Sequence, residues 1–184
     1  MRRANWRPLK MADLRAVAIS GSPRSPSKSK SLAAMILADL ERAGCATQMV
    51  DVADLPADAL VARAGAPELD AAIAAVGTAQ IVVAASPTYR ALYTGVMKAF
   101  FDLMPPAHLA GKICVPVQTG ASPAHFLAIE YGMRPLFMSL EGVPIGGVYA
   151  IDAQFSDGTP DEALAARVHL VAAHAVALSR ALAV

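Results

Sequence analysis

Short apolar runs alternate with longer stretches of helical periodicity along this chain, and that alternation admits few architectures. The clearest run, Ile81-Val82-Val83-Ala84-Ala85, is continuous rather than alternating, as a strand covered on both faces requires. Strands are expected at 15–20, 47–52, 81–85, 112–117 and 143–150. Helices are expected at 29–43, 68–76, 93–104, 123–140 and 161–182, with Gly44 and Gly77 closing the first two. Crossovers of this length join parallel neighbours. The chain therefore reads as α/β, a flavodoxin-like three-layer sandwich around a five-stranded parallel sheet in the order 2-1-3-4-5.

At 184 residues and 55% hydrophobic, the chain can bury one substantial core, and residues 14–184 are expected to form a single domain. Residues 1–13 read as a flexible N-terminal extension, with Met11 a second candidate start. A net charge of +1 provides no electrostatic footing for nucleic acid or an anionic membrane, so neither is expected as a partner. Cys45 and Cys114 are too few and too distant for a disulfide framework or a zinc site. The basic N-terminus leads into only a short apolar stretch, 16–19, unlike a secretory signal. A membrane helix needs about 20 consecutive apolar residues. The Ala-rich C-terminus is interrupted by Arg167, His169, His174 and Arg180. A cytoplasmic protein is expected.

In sheets of this kind ligands bind beyond the carboxyl ends of the strands, so the turns there carry the chemistry. After the first strand comes Gly21-Ser22-Pro23-Arg24-Ser25-Pro26-Ser27-Lys28-Ser29-Lys30-Ser31. Hydroxyls and cations at the start of a helix, where backbone N–H groups lack partners and the dipole is positive, form a cradle for phosphate. Ser86-Pro87-Thr88-Tyr89 follows the third strand, and its Pro makes a rigid turn in which Tyr89 either faces a planar ligand or caps the core. Gln118-Thr119-Gly120-Ala121-Ser122-Pro123 follows the fourth. Three small polar turns at one end of a sheet are a joint signal that none carries alone.

Other site chemistries find little support. No G-x-G-x-x-G follows the first strand, although Asp51 follows the second, and no G-x-S-x-G elbow occurs. His169 and His174 are spaced five apart, poorly placed to share a helical face, and His108 and His125 are distant singles, so no metal site is expected. Tyr93, Val96, Met97, Phe100, Phe101 and Met104 give the third helix a large apolar side, more than one sheet contact needs. In the fourth helix Pro135 deprives the Tyr131 carbonyl of its i+4 donor and Gly132 weakens the same turn, so an irregularity is expected there.

These motifs, in this order, resemble the NAD(P)H-dependent FMN reductases, and within them the two-component reductases that supply reduced flavin to alkanesulfonate monooxygenases. The resemblance covers about 16–140. It rests on Gly21-Ser22-Pro23-Arg24, Pro26-Ser27 and Ser29-x-Ser31-Leu32, and on Ser86-Pro87-x-Tyr89 with Tyr93, Gly95, Met97-Lys98 and Asp102-Leu103. Leu109-x-Gly111-Lys112, Thr119-Gly120, His125, Leu127-Ala128, Tyr131 and Pro135 complete it. It implies that Ser22, Arg24, Ser29 and Ser31 hold the FMN phosphate. It also implies that Pro87, Thr88 and Tyr89 line one edge of the isoalloxazine, and Thr119 and Gly120 its pyrimidine side. Tyr131 resembles an inserted Tyr that the family accommodates in a π-bulge, and it and His125 are candidates for shaping the flavin stack. Hydride would pass from NADH or NADPH to FMN with no side-chain acid or base. A homodimer or homotetramer through the third and fourth helices is implied, and a monooxygenase as recipient of the flavin. Two points stay open: Lys30 either contacts phosphate or faces solvent, and Ala121 stands where the family usually has a second glycine. A reductase that retains FMN and acts on quinones, azo dyes or metal oxyanions is the alternative enzyme. An FMN-binding electron-transfer module is the alternative without turnover.

Overall fold

Four parallel strands of six to eight residues carry the sheet: β1 (Arg15–Ser20), β2 (Ala46–Asp51), β3 (Ile81–Pro87) and β4 (Ile113–Gly120). Two shorter strands, β5 (Val143–Pro144) and β6 (Val148–Ile151), both pair with β4. The order is β2-β1-β3-β4-β5, as expected. This structure is a computed structural model and describes residues 14–182. The expected N-terminal extension lies outside the described residues.

Alternation along each central strand divides the core into two layers. Ala16, Ala18, Ile81, Val83, Ile113, Val115 and Val117 face α1 (Lys28–Arg42) and α6 (Glu162–Leu182). Val17, Ile19, Val82, Ala84 and Cys114 face the other way. That second layer includes the short α2 (Ala57–Leu60), α3 (Pro67–Thr78), α4 (Gly95–Asp102) and α5 (Arg134–Met138). Helix α1 begins where Ser27 caps it by accepting from the Lys30 N–H at 3.3 Å, and Leu32, Ile36, Leu37 and Leu40 form its buried stripe. Burial pushes the Cys114 thiol up to about 12, which keeps it protonated.

Strands β3 and β4 run further than expected, so Ser86-Pro87 and Gln118-Thr119-Gly120 are strand ends rather than turns. The fourth helix is not one helix. It is a 3₁₀ turn (Pro123–Phe126), a π segment (Ile129–Met133) and α5, with the Arg134 N–H donating to the Ile129 carbonyl five residues back. The irregularity expected from Pro135 is thus present, in π form. The expected fifth strand is broken between Pro144 and Val148. Opposite the break lies Pro116, which has no N–H for the ladder, and a Cβ on Gly147 would sit 2.3 Å from the Pro116 carbonyl oxygen. A hairpin of β7 (Phe155–Ser156) and β8 (Thr159–Pro160) follows, turning through Asp157-Gly158, both at positive φ. Among the described residues, no helix is long and apolar enough to cross a membrane.

The apolar side of α4 is used within the chain. Met97, Phe100, Phe101 and Met104 are buried, and the Phe101 ring lies 6.1 Å from that of Phe137. The large exposed apolar side chains nearby are instead Tyr89, Leu92, Phe126, Leu127, Tyr131 and Met138.

Candidate functional site

The carboxyl ends of β1, β3 and β4 meet at a cleft of about 430 Å³. On one side are Ser22 and Arg24 from the turn after β1 and Ser31 from α1; on the other are Pro87, Tyr89 and Thr119. The turn after β1 is shaped by Ser22, whose hydroxyl accepts from the Arg24 N–H at 3.3 Å and donates to the Arg24 carbonyl at 3.0 Å. This folds the chain back on itself and leaves the Arg24 side chain exposed, with no ion-pair or hydrogen-bond partner among the described residues. The start of α1 aims at the same cleft, so an unpaired guanidinium, hydroxyls and helix-end amides converge.

The remaining expected residues lie around the cleft rather than on it. Ser29 is fully buried, its hydroxyl 3.1 Å from that of Ser27. Thr88 stands behind Pro87, where its N–H donates to the Thr119 carbonyl at 2.6 Å and its hydroxyl accepts from Gln118 Nε2 at 3.3 Å. Gly120 is needed for packing: a Cβ there would lie 2.3 Å from the Tyr149 hydroxyl. Ala121 is absent from the positive-φ residues, so no left-handed contact forms at that position. His125 lies on the 3₁₀ turn and Tyr131 on the π segment, the latter 76% exposed. Beside the cleft the Tyr89–Leu92 loop is held in a two-bond bridge, with Arg90 and Ala91 both left-handed.

Sequence reasoning placed Lys28 in the cradle after the first strand but missed its partner Asp152, and it missed Gly158. Lys28 lines the cleft and pairs at 2.7 Å with Asp152 after β6, its ammonium 5.2 Å from the Phe155 ring centroid; Gly158 of the hairpin lines the cleft as well. The partners Lys28 and Asp152 lie 124 residues apart, so no local pattern announces them.

Lys30 answers to neither open alternative, because it pairs with Asp51 at the end of β2. That hydrogen bond, opposed by desolvation and aided by the charges of Asp51 and Asp54, raises its pKa above the ordinary 10.5. A raised lysine contributes stability that is fully present below its unfolded pKa and is lost as pH climbs through the folded value. Lys30→Met is therefore expected to flatten the alkaline limb of the stability profile, read from urea midpoints on either side of pH 10.5. Parallel profiles for variant and parent would show that the pair contributes nothing.

A second hollow, of about 610 Å³, runs along β6 and is lined in part by Phe126, Ile129, Tyr149 and Arg167. It contains none of the expected site residues. The smaller cleft is the one where three strand ends and a helix start converge.

The fold is flavodoxin-like, with the cleft at its strand ends, and comparison with known proteins gives the family. The family model described as NADPH-dependent FMN reductase matches residues 14–156, and the chain belongs to that family of oxidoreductases. It is 34% identical over 146 residues to the FMN reductase (NADPH) of Escherichia coli (strain K12), covering 78% of this chain and 76% of that protein. It is 33% identical to the NADH-dependent FMN reductase SfnF of Pseudomonas fluorescens (strain Pf0-1), covering 90% and 91%. Among solved structures, the apo form of the NADH:FMN oxidoreductase EMOB superposes with a TM-score of 0.82 at 35% identity, covering 91% of this chain and 88% of that one.

Proposed function

We propose that this chain reduces FMN with NADH or NADPH in the cleft at the strand ends and releases the reduced flavin to a flavin-dependent monooxygenase, such as one acting on sulfonates. The observation that carries the reading is the Arg24 guanidinium, without a partner among the described residues, beside the Ser22 and Ser31 hydroxyls at the start of α1. The donor set fits a phosphate monoester: one unpaired cation, hydroxyls and helix-end amides, with both neighbouring lysines already paired to Asp152 and Asp51. Pro87, Tyr89 and Thr119 supply a stiff wall on which a planar ring can rest. When bound, FMN supplies the electron-accepting ring chemistry that protein side chains lack.

The chain's own residues bind and orient. Ser22, Arg24 and Ser31 hold the phosphate, with Ser29 bracing the turn from behind through Ser27. Tyr89 and Thr119 contact the ring, while Thr88 and Gly120 support that wall from the second layer. No side-chain acid or base is assigned. His125 and Tyr131, on their exposed 3₁₀ and π segments, shape the open side of the ring stack. Phe126, Leu127 and Met138 leave apolar surface on these segments and the adjoining α5, which supports self-association as a homodimer or homotetramer.

Adding FMN to the purified protein is expected to start oxidation of NADH or NADPH at about 1 per second or faster, with a rate that saturates in free FMN. No oxidation of either nucleotide would sink the reading. The protein is expected to purify largely colourless. Flavin kept in stoichiometric amount through dialysis would replace this reading with that of an FMN-retaining reductase.

A further inference from the structure

We propose that Tyr149 is a positioning residue for the flavin ring: its hydroxyl ties the segments leaving β3 and β4 to β6 and so fixes the wall on which the ring rests. The inference rests on the functional reading above and adds a residue to it. Tyr149 Oη donates to the Ser122 carbonyl at 2.8 Å, which holds the segment after β4. A Cβ on Gly120 would lie 2.3 Å from that hydroxyl and 3.5 Å from Thr88 Cβ, so the Tyr149 and Thr88 side chains meet over the same spot, and Thr88 stands after β3. Thr88 Oγ1 in turn accepts from Gln118 Nε2 at 3.3 Å, and Gln118 is fully buried. The buried Gln118 amide thus holds Thr88 after β3, and the Tyr149 hydroxyl holds Ser122 after β4.

Four further observations fit that role. Burial raises the Tyr149 pKa, opposed by the Thr88 hydroxyl and aided by the charge of Asp152, so the hydroxyl keeps the proton it donates. Arg167 Nη2 donates to the Tyr149 carbonyl at 2.7 Å, which anchors the residue from α6. Gly120 leaves the space that the hydroxyl occupies. Thr88 and Thr119 are joined to each other by a backbone bond of 2.6 Å, so the tyrosine braces a wall whose two halves already touch. None of the phosphate-side residues Ser22, Arg24 or Ser31 takes part.

The separation between ring side and phosphate side makes the test specific. Wild type, Tyr149→Phe, Thr88→Val, Thr88→Ser and the double variant that combines Tyr149→Phe with Thr88→Val are titrated with FMN and with riboflavin, which lacks the phosphate, by flavin fluorescence. Tyr149→Phe is expected to weaken both ligands by the same factor, about tenfold, to raise KM for FMN in proportion, and to alter the absorption band of the bound flavin. Thr88→Val is expected to do the same, Thr88→Ser to stay near wild type because it keeps the hydroxyl, and the double variant to be no worse than the more severe single one. The proposal is overturned if wild type binds flavin and both Tyr149→Phe and Thr88→Val bind it equally well. It is equally overturned if the two effects add in full, or if FMN is weakened and riboflavin is not. Should Tyr149→Phe fail to fold, the two Thr88 variants decide by the same criteria. A wild type that binds neither flavin refutes the functional reading itself, and this inference with it.

Discussion

Arg24→Ala is expected to weaken FMN binding by about 1.5–3 kcal/mol, roughly ten- to a hundredfold, while leaving riboflavin affinity unchanged. The asymmetry follows from what the side chain does without ligand. It makes no ion pair or hydrogen bond among the described residues, and the turn it sits in is shaped by the Ser22 hydroxyl acting on Arg24's backbone. Removing the guanidinium should therefore leave the turn and the fold in place and delete only a charged contact to phosphate. The dipole at the start of α1 and the remaining hydroxyls keep part of the attraction, which bounds the loss. Fluorescence titration of both flavins reads the two numbers directly. An unchanged FMN affinity would place the phosphate elsewhere, and an equal loss for riboflavin would mean that the turn itself had collapsed.

The largest effect on stability is expected at Phe100. Its side chain is fully buried between α4 and the sheet, and its ring meets Phe101 edge-on with centroids 6.2 Å apart. Phe100→Ala removes that packing and leaves a cavity that the neighbouring backbone cannot fill, at a cost of about 3–5 kcal/mol. A domain of this size holds about 5–15 kcal/mol in total. The loss reaches the cleft as well, because α4 begins at Thr94, whose hydroxyl donates to the Gly21 carbonyl at the root of the turn after β1. Urea unfolding should show a lower midpoint with an unchanged slope, and Phe100→Leu should recover much of the difference. A loss below about 1 kcal/mol would mean that the layer repacks freely, contrary to the close contacts described above.

The architecture was legible because its signals are local. The continuous run at 81–85, the cap at Ser27 and the stripe Leu32, Ile36, Leu40 each announce an element without reference to the rest of the chain. The irregularity in the fourth helix was legible for a related reason, since Pro135 removes a particular donor from a particular carbonyl, while its π form was implied only by the family resemblance. Two misreadings had signals available. Pro116 inside a strand foretells a break in one neighbouring ladder, and Asp157-Gly158 is a hairpin turn whose flanking strands are too short to show alternation. The cleft was half legible. Hydroxyls and Arg24 in a post-strand turn have a meaning in sequence, but whether a serine faces the cleft or the core depends on helix rotation, which is why Ser31 lines it and Ser29 does not. Tyr149, Asp152 and the pairing of Lys28 were beyond reach, because these roles arise only from contacts between segments far apart in the chain.

The rung missing at Pro116 has a mechanical meaning. Strand β5 is zipped to β4 through Ile113 and Cys114, and β6 separately through residues from Val117 to Gly120. The last strand is therefore two short zippers on one rail rather than one long one, and fraying at the outer end need not run through to the other. What lines or braces the cleft from this side hangs on the inner zipper: the hydroxyl of Tyr149 that holds Ser122, the carboxylate of Asp152 and the hairpin beyond it.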